Sequence, residues 1–207
     1  MPETPEKAIE KTSPIPYWIE YVRTDGAWRT DPVTGGPKRP PGEDLAAMRS
    51  GLGSNAWQVP ALWPHYRIPV DDRLARVGKV SPAQEAEHAA LALYGLHQQS
   101  QDQPMHRPKV GFGQALRAVR TSGRFSEEAV DRRMEGLASA TSVPVLVYRL
   151  RGSVEQLRTI KQPLDYTQLM KDIAAWHRPQ SRLRVRRNWG LGYYGRSRTD
   201  SVSRDAS

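Results

Sequence analysis

Apolar residues recur along this chain at intervals of three and four, and almost nowhere in strict alternation. Such spacing gathers side chains on one flank of a helix, whereas a half-buried strand needs a period of two. The longest row is Ala86, Ala90, Leu93, Tyr94 and His97. It is introduced by Ser81-Pro82-Ala83-Gln84: a capping serine, proline at the first helical position, and glutamine placed to close a capping box. A central core helix running to about Ser100 is expected. Shorter rows follow: Phe112, Leu116 and Val119, ended by Gly123; Val130, Met134 and Leu137 behind a capping Ser126; and Leu146, Leu150, Val154 and Leu157 from about Pro144. Behind Asp165, with Gln168 placed for a second capping box, come Tyr166, Leu169, Met170, Ile173 and Trp176. His177-Arg178-Pro179 then breaks the helix, because proline disfavours helical geometry at the residue before it. A last helix from about Ser181 buries Val185, Trp189 and Tyr193 and turns Arg184 and Arg187 outward.

Upstream, Pro16 opens a short helix with Trp18, Ile19 and Val22 on its apolar side. Residues 43–50 form another around Leu45 and Met48, and residues 59–66 a helical turn packing Leu62 and Trp63. Residues 30–43 are a long loop dense in turn-makers. The fold class is all-α, as two small helical-bundle domains with short helices and a polar C-terminal tail. The expected boundaries are a flexible N-terminus (1–15), an N-terminal helical domain (16–108), a basic C-terminal bundle (109–196) and a disordered tail (197–207). Residues 100–109 are the polar linker between the bundles.

Charge sharpens this division. The 207 residues carry a net charge of +9, but residues 1–108 hold 12 Lys/Arg against 13 Asp/Glu, and residues 109–196 hold 17 against 7. A surplus confined to one half points to a polyanionic partner, most often nucleic acid. Arginine suits phosphate because its planar fork donates two parallel hydrogen bonds and stays charged. The candidate phosphate-binding residues are Arg117, Arg120, Arg132, Arg133, Arg151, Arg178, Arg184 and Arg187, with Arg49 a weaker candidate from the first half. Any one of them, taken alone, is better read as an ordinary surface arginine; for the group that reading is weaker, because its surplus is one-sided.

Catalytic readings fare worse. Glu85-Ala86-Glu87-His88 has the Glu-x-x-His spacing of di-iron bundles, but it has no second copy and is better read as a solvent-facing polar turn. Gly111-x-Gly113 lacks the preceding strand and third glycine of a dinucleotide fingerprint, so it is read as the start of a helix. The histidines are scattered, with His97 read as a hydrogen-bonded core residue, and Asp71-Asp72 is read as a solvated turn. Cysteine is absent, which excludes disulfides and thiolate metal sites. The N-terminal residues lack a secretory pattern, and no apolar run is long enough to span a bilayer. No cofactor, no metal, no membrane association and a cytoplasmic location are expected.

Four stretches carry a resemblance: GFGQALRAVRTSGR (111–124), RRMEGL (132–137), PLDYTQLMKDIAAW (163–176) and RVRRNWGLGYY (184–194). Together, and with the helix over 81–100, they resemble the CasB family, the small subunit of the type I-E CRISPR surveillance complex Cascade. The resemblance runs from about Glu43 to Tyr194. It implies a helical protein without catalytic activity of its own. It implies as partners guide RNA, target DNA, the other Cascade subunits and a second copy of itself packed head to tail. Basic residues would hold the guide–target duplex and the displaced strand. Residues 138–142, Ala-Ser-Ala-Thr-Ser, lack the basic residues that some members of the family carry there, which moves the expected contact surface toward Arg132, Arg133 and the last helix. A free-standing helical regulator and a bundle-core metalloenzyme are the competing readings. The first would need base-reading residues clustered on a recognition helix, and none is seen.

Overall fold

The computed structural model describes residues 14–195; the expected flexible N-terminus, apart from its last two residues, and the expected disordered tail lie outside them. The described chain is helical, with no strand and three isolated β-bridges: Val22–Trp28, Thr30–Pro37 and His106–Leu164. Its α-helices are α1 (Gly42–Ser50), α2 (Asp72–Ala75), α3 (Pro82–Gln98), α4 (Phe112–Thr121), α5 (Glu127–Ala138), α6 (Val143–Thr159), α7 (Tyr166–Trp176) and α8 (Pro179–Tyr194). Two 3₁₀ turns, Tyr17–Glu20 and Pro60–His65, precede α1 and α2 respectively.

The helix α3 is buried on nearly every side from Ala86 to Gln98. Its small residues explain how neighbours close in on it. A Cβ on Gly95 would stand 2.6 Å from the Cβ of Met48 and 2.9 Å from the Leu45 carbonyl, so α1 lies directly against it. The helices α6 and α7 cover its other flanks, and the buried residues of both halves form one connected cluster. Both parts of the capping box at Ser81 are present. At α7 only half of the expected box forms. Asp165 accepts from the Gln168 amide, but the Gln168 side chain donates instead to Asp172 at 2.8 Å.

Tyr166, the first residue of α7, joins the two halves. Its amide donates to His106 Nδ1 at 3.1 Å, and its hydroxyl donates to the Leu93 carbonyl and lies 3.0 Å from His97 Nδ1. The Trp18 indole donates to Thr167 at 2.8 Å. Residues 100–109, polar in sequence, do not hang free. Met105 and His106 are buried, and backbone bonds between Leu164 and both Met105 and Arg107 fasten the segment to the start of α7. The loop over 30–43 is likewise shaped: Asp31 accepts from the amides of Val33 and Thr34, and Lys38 pairs back to Arg29.

Two local expectations fail. Trp63 is 51% exposed, because the turn over Pro60–His65 is 3₁₀ and repeats every three residues, so Leu62 takes the inner position. The Glu85–His88 segment is not a solvent-facing turn, since Glu87 and His88 are only 4% and 5% exposed. Glu87 accepts from the amides of Arg67 and Ile68 at 2.7 and 3.0 Å. His88 Nε2 faces the Gly51 and Ser54 carbonyls, so it carries the proton, and Nδ1 accepts from the Tyr66 hydroxyl at 2.8 Å. Two buried side chains thus hold down two irregular segments whose backbone groups would otherwise lack partners. Burial raises the Glu87 carboxyl and lowers the His88 imidazole.

Candidate nucleic-acid interface

The core rows decide which arginines reach water. In α5, Val130, Met134 and Leu137 face inward, which turns Arg132 out and leaves Arg133 on the flank. In α6, Leu146, Leu150, Val154 and Leu157 face inward, which leaves Tyr148, Arg151 and Glu155 exposed one turn apart. Between the two helices runs a groove of about 600 Å³ lined by Arg132, Arg133, Tyr148, Arg149, Arg151 and Glu155. Gly152 makes room for it: the Arg133 guanidinium lies where a Cβ would stand. Arg133 Nε is buried there without an acceptor among the described residues. Arg151 and Glu155 approach to 3.3 Å, but both are half exposed, and a pair of this kind contributes at most about 1 kcal/mol. Arg132 makes no hydrogen bond or ion pair among the described residues.

The second group lies on α8. Val185, Trp189 and Tyr193 are buried as their spacing requires, and the Trp189 indole donates to the buried Asp172 carboxylate at 2.7 Å. Arg184 and Arg187 are therefore exposed, as is Arg178 at the N-cap, and none of the three is paired among the described residues. The two groups approach each other at residues 136–140. Arg149 donates to the Gly136 carbonyl and, at 3.1 Å, to Ser139. Arg186, lying over the Trp176 ring, donates to the Ala140 carbonyl at 2.8 Å. The C-terminal carbonyls of α5 favour cations. The Ala-Ser-Ala-Thr-Ser stretch, which has no basic residue of its own, is thus flanked by arginines from α6 and α8.

Three candidates are placed elsewhere. Arg120 is held by Glu127 at 2.7 Å and Asp131 at 3.0 Å. The Tyr193 hydroxyl also donates to Asp131 at 2.6 Å, and together with Arg120 it holds that carboxyl below its usual range. Arg117 donates to the Gly195 carbonyl just past α8. Both arginines tie α4 to its neighbours. Arg49 is half-buried on α1, which packs on α3 and the Pro60–His65 turn, so it joins neither group. Sequence reasoning passed over Tyr148, Arg149 and Arg186. The first was detectable as an aromatic residue lying between the core positions 146 and 150; the other two are defined by the carbonyls they reach, which only the fold brings near. No group of three or more His, Asp or Glu that could hold a metal occurs among the described residues. No helix among them is long and apolar enough to cross a membrane.

Comparison with known proteins supplies a context for this surface. A family model described as CRISPR-associated protein Cse2 matches residues 44–194. The crystal structure of CasB from Thermobifida fusca is 30% identical, covers 74% of this chain and 85% of its own, and superposes with a TM-score of 0.58. CasB from M. ruber has a similar fold at 21% identity, with 82% of this chain and 92% of that chain covered and a TM-score of 0.57. A chain of a CRISPR RNA-guided surveillance complex matches at 23% identity, 82% and 89% coverage, and a TM-score of 0.55. No curated protein matches the chain by sequence.

Proposed function

The chain belongs to the CRISPR-associated Cse2 family, and on that premise we propose that it is the non-catalytic small subunit of a cytoplasmic CRISPR RNA-guided surveillance complex. Within that particle its arginines neutralise the backbones of the guide RNA–target DNA duplex and of the displaced strand. A duplex between guide and target is gripped by its charged backbone rather than read by sequence, and a displaced strand needs a basic groove. The observation that carries the reading is the exposure of Arg132, Arg151, Arg178, Arg184 and Arg187 on the outer faces of α5, α6 and α8. Arg151 has Glu155 beside it and Arg132 interacts with the charge of Glu128 one turn away, while Arg178, Arg184 and Arg187 make no ion pair among the described residues. Arg117 and Arg120 serve the fold, and Arg49 lies away from both groups. Leu183, Leu191 and Tyr194, exposed on α8 among the arginines, suit contact with other subunits or with a second copy.

Co-expression with the neighbouring genes and a guide RNA tests the assignment. This chain is expected to co-purify with the RNA-bound particle and to remain through size exclusion. A stable particle that forms repeatedly without it would remove the assignment.

A further inference from the structure

Tyr148 is 80% exposed, more than any other aromatic side chain among the described residues. It makes no hydrogen bond and no ring contact there. Leaving a bulky ring in water on a rigid helix, amid four arginines, serves no packing purpose. Its surroundings differ on its two sides. Toward α5 lies the basic groove with Arg132, Arg133, Arg149 and Arg151. Toward α3 lies a larger cleft of about 1120 Å³, bounded by residues 51–58, residues 78–80, α3 and the start of α6. Trp57, Val70, Val80, Ala89, Val143 and Val147 give it mainly apolar walls. Tyr148 and Arg151 border both hollows and form the ridge between them.

A duplex presents phosphates outward and keeps its base faces stacked inside, so it cannot use a free ring beside an apolar hollow. A single strand offers both at once, with phosphates along one edge and base faces along the other. We infer that Tyr148 is a stacking residue for an unpaired base, seated on a ridge that takes a single strand's phosphates on the α5–α6 side and its bases toward the apolar cleft. This rests on the phosphate-binding reading above and narrows it to an unpaired strand at this groove. Stacking accepts any base, so no sequence preference accompanies it.

The test uses the full chain and a short single-stranded DNA carrying a fluorescent adenine analogue, with a duplex of the same sequence as control. Binding by the unaltered chain is expected to quench the analogue. Tyr148→Ala is expected to abolish the quenching and weaken single-strand binding about tenfold, while Tyr148→Trp retains both. Because position 148 carries no charge, the salt slope is unchanged in Tyr148→Ala, whereas Arg132→Ala lowers it by about 0.7. Duplex binding is the same for all Tyr148 variants. If Tyr148→Ala binds the single strand as the unaltered chain does while Arg132→Ala loses slope, the stacking inference is overturned and the phosphate reading stands. If neither variant changes anything, or the unaltered chain binds no single strand at low salt, the groove is not a nucleic-acid site and both readings of it fall.

Discussion

Gly113→Ala is expected to destabilise the fold by about 3 kcal/mol, the upper part of the range for overpacking a close contact. At this chain length that lowers the melting temperature by roughly 6–12 °C. The helices α4 and α8 cross at this residue. A Cβ on Gly113 would land on the Trp189 carbonyl oxygen and stand 2.8 Å from its carbon, and a Cβ on Gly192 would stand 3.0 Å from the Gln114 amide. The obstacle at Gly113 is backbone, so no rotamer change relieves it and α8 has to move as a body. That movement would carry Arg184 and Arg187 with it and loosen the Trp189–Asp172 bond. Gly190→Ala is the matched control on the same helix. Apart from its own helix backbone, nothing among the described residues lies within 4 Å of its Cβ position. Since alanine is the better helix former by up to about 1 kcal/mol, this variant is expected to hold or raise the melting temperature. Thermal unfolding by circular dichroism separates the two. Equal melting temperatures would show that the helices are not in backbone contact.

The second large effect is acid lability. Burial lowers the His97 imidazole from its ordinary 6.5 to about 3, with nearby Arg158 adding to the shift. Burial likewise lowers His106 to about 4, against the opposing pull of Asp165. Both are neutral in the folded chain and take up a proton near 6.5 once unfolded. The stability they support is complete above that pH and is lost as pH falls below it. Each histidine is expected to remove about 2 kcal/mol by pH 5. Glu87 and Asp172 act in the opposite sense: burial raises both carboxyls, so their protonation favours the folded chain as pH falls. Comparison of variants removes that background. His97→Gln should weaken the dependence of unfolding free energy on pH between 5 and 6.5, approaching about 1.4 kcal/mol per pH unit at the acid end. Identical slopes in denaturant titrations would mean that His97 is protonated in the folded state.

The core was legible because it is written locally. Rows such as Leu146, Leu150, Val154 and Leu157 depend on helical periodicity alone, and each is buried. The same rows explain why Arg132, Arg184 and Arg187 could be read as exposed. What was hidden depends on partners distant in sequence. Glu87 and His88 looked like surface residues until residues 51–54 and 66–68 folded over them with amides and carbonyls to satisfy. Arg120 cannot be told from Arg132 by spacing. It differs because Glu127 and Asp131, on the next helix, face it. Trp63 turned outward because prolines at 60 and 64 accompany a tighter helix with a different period. Tyr148 fell outside every row, and that is why it stands free.

The central claim is that the outward arginines of α5, α6 and α8 neutralise phosphates. It is tested most directly by the salt dependence of target-DNA binding by the assembled particle, with Arg132, Arg151, Arg184 and Arg187 replaced together by alanine. All four are exposed, so the melting temperature should change little. The slope of log affinity against log salt should become shallower by about 3 to 4, at close to one counterion per lost contact. A particle that keeps the variant chain and the full slope would show that nucleic acid runs elsewhere, and would contradict the account.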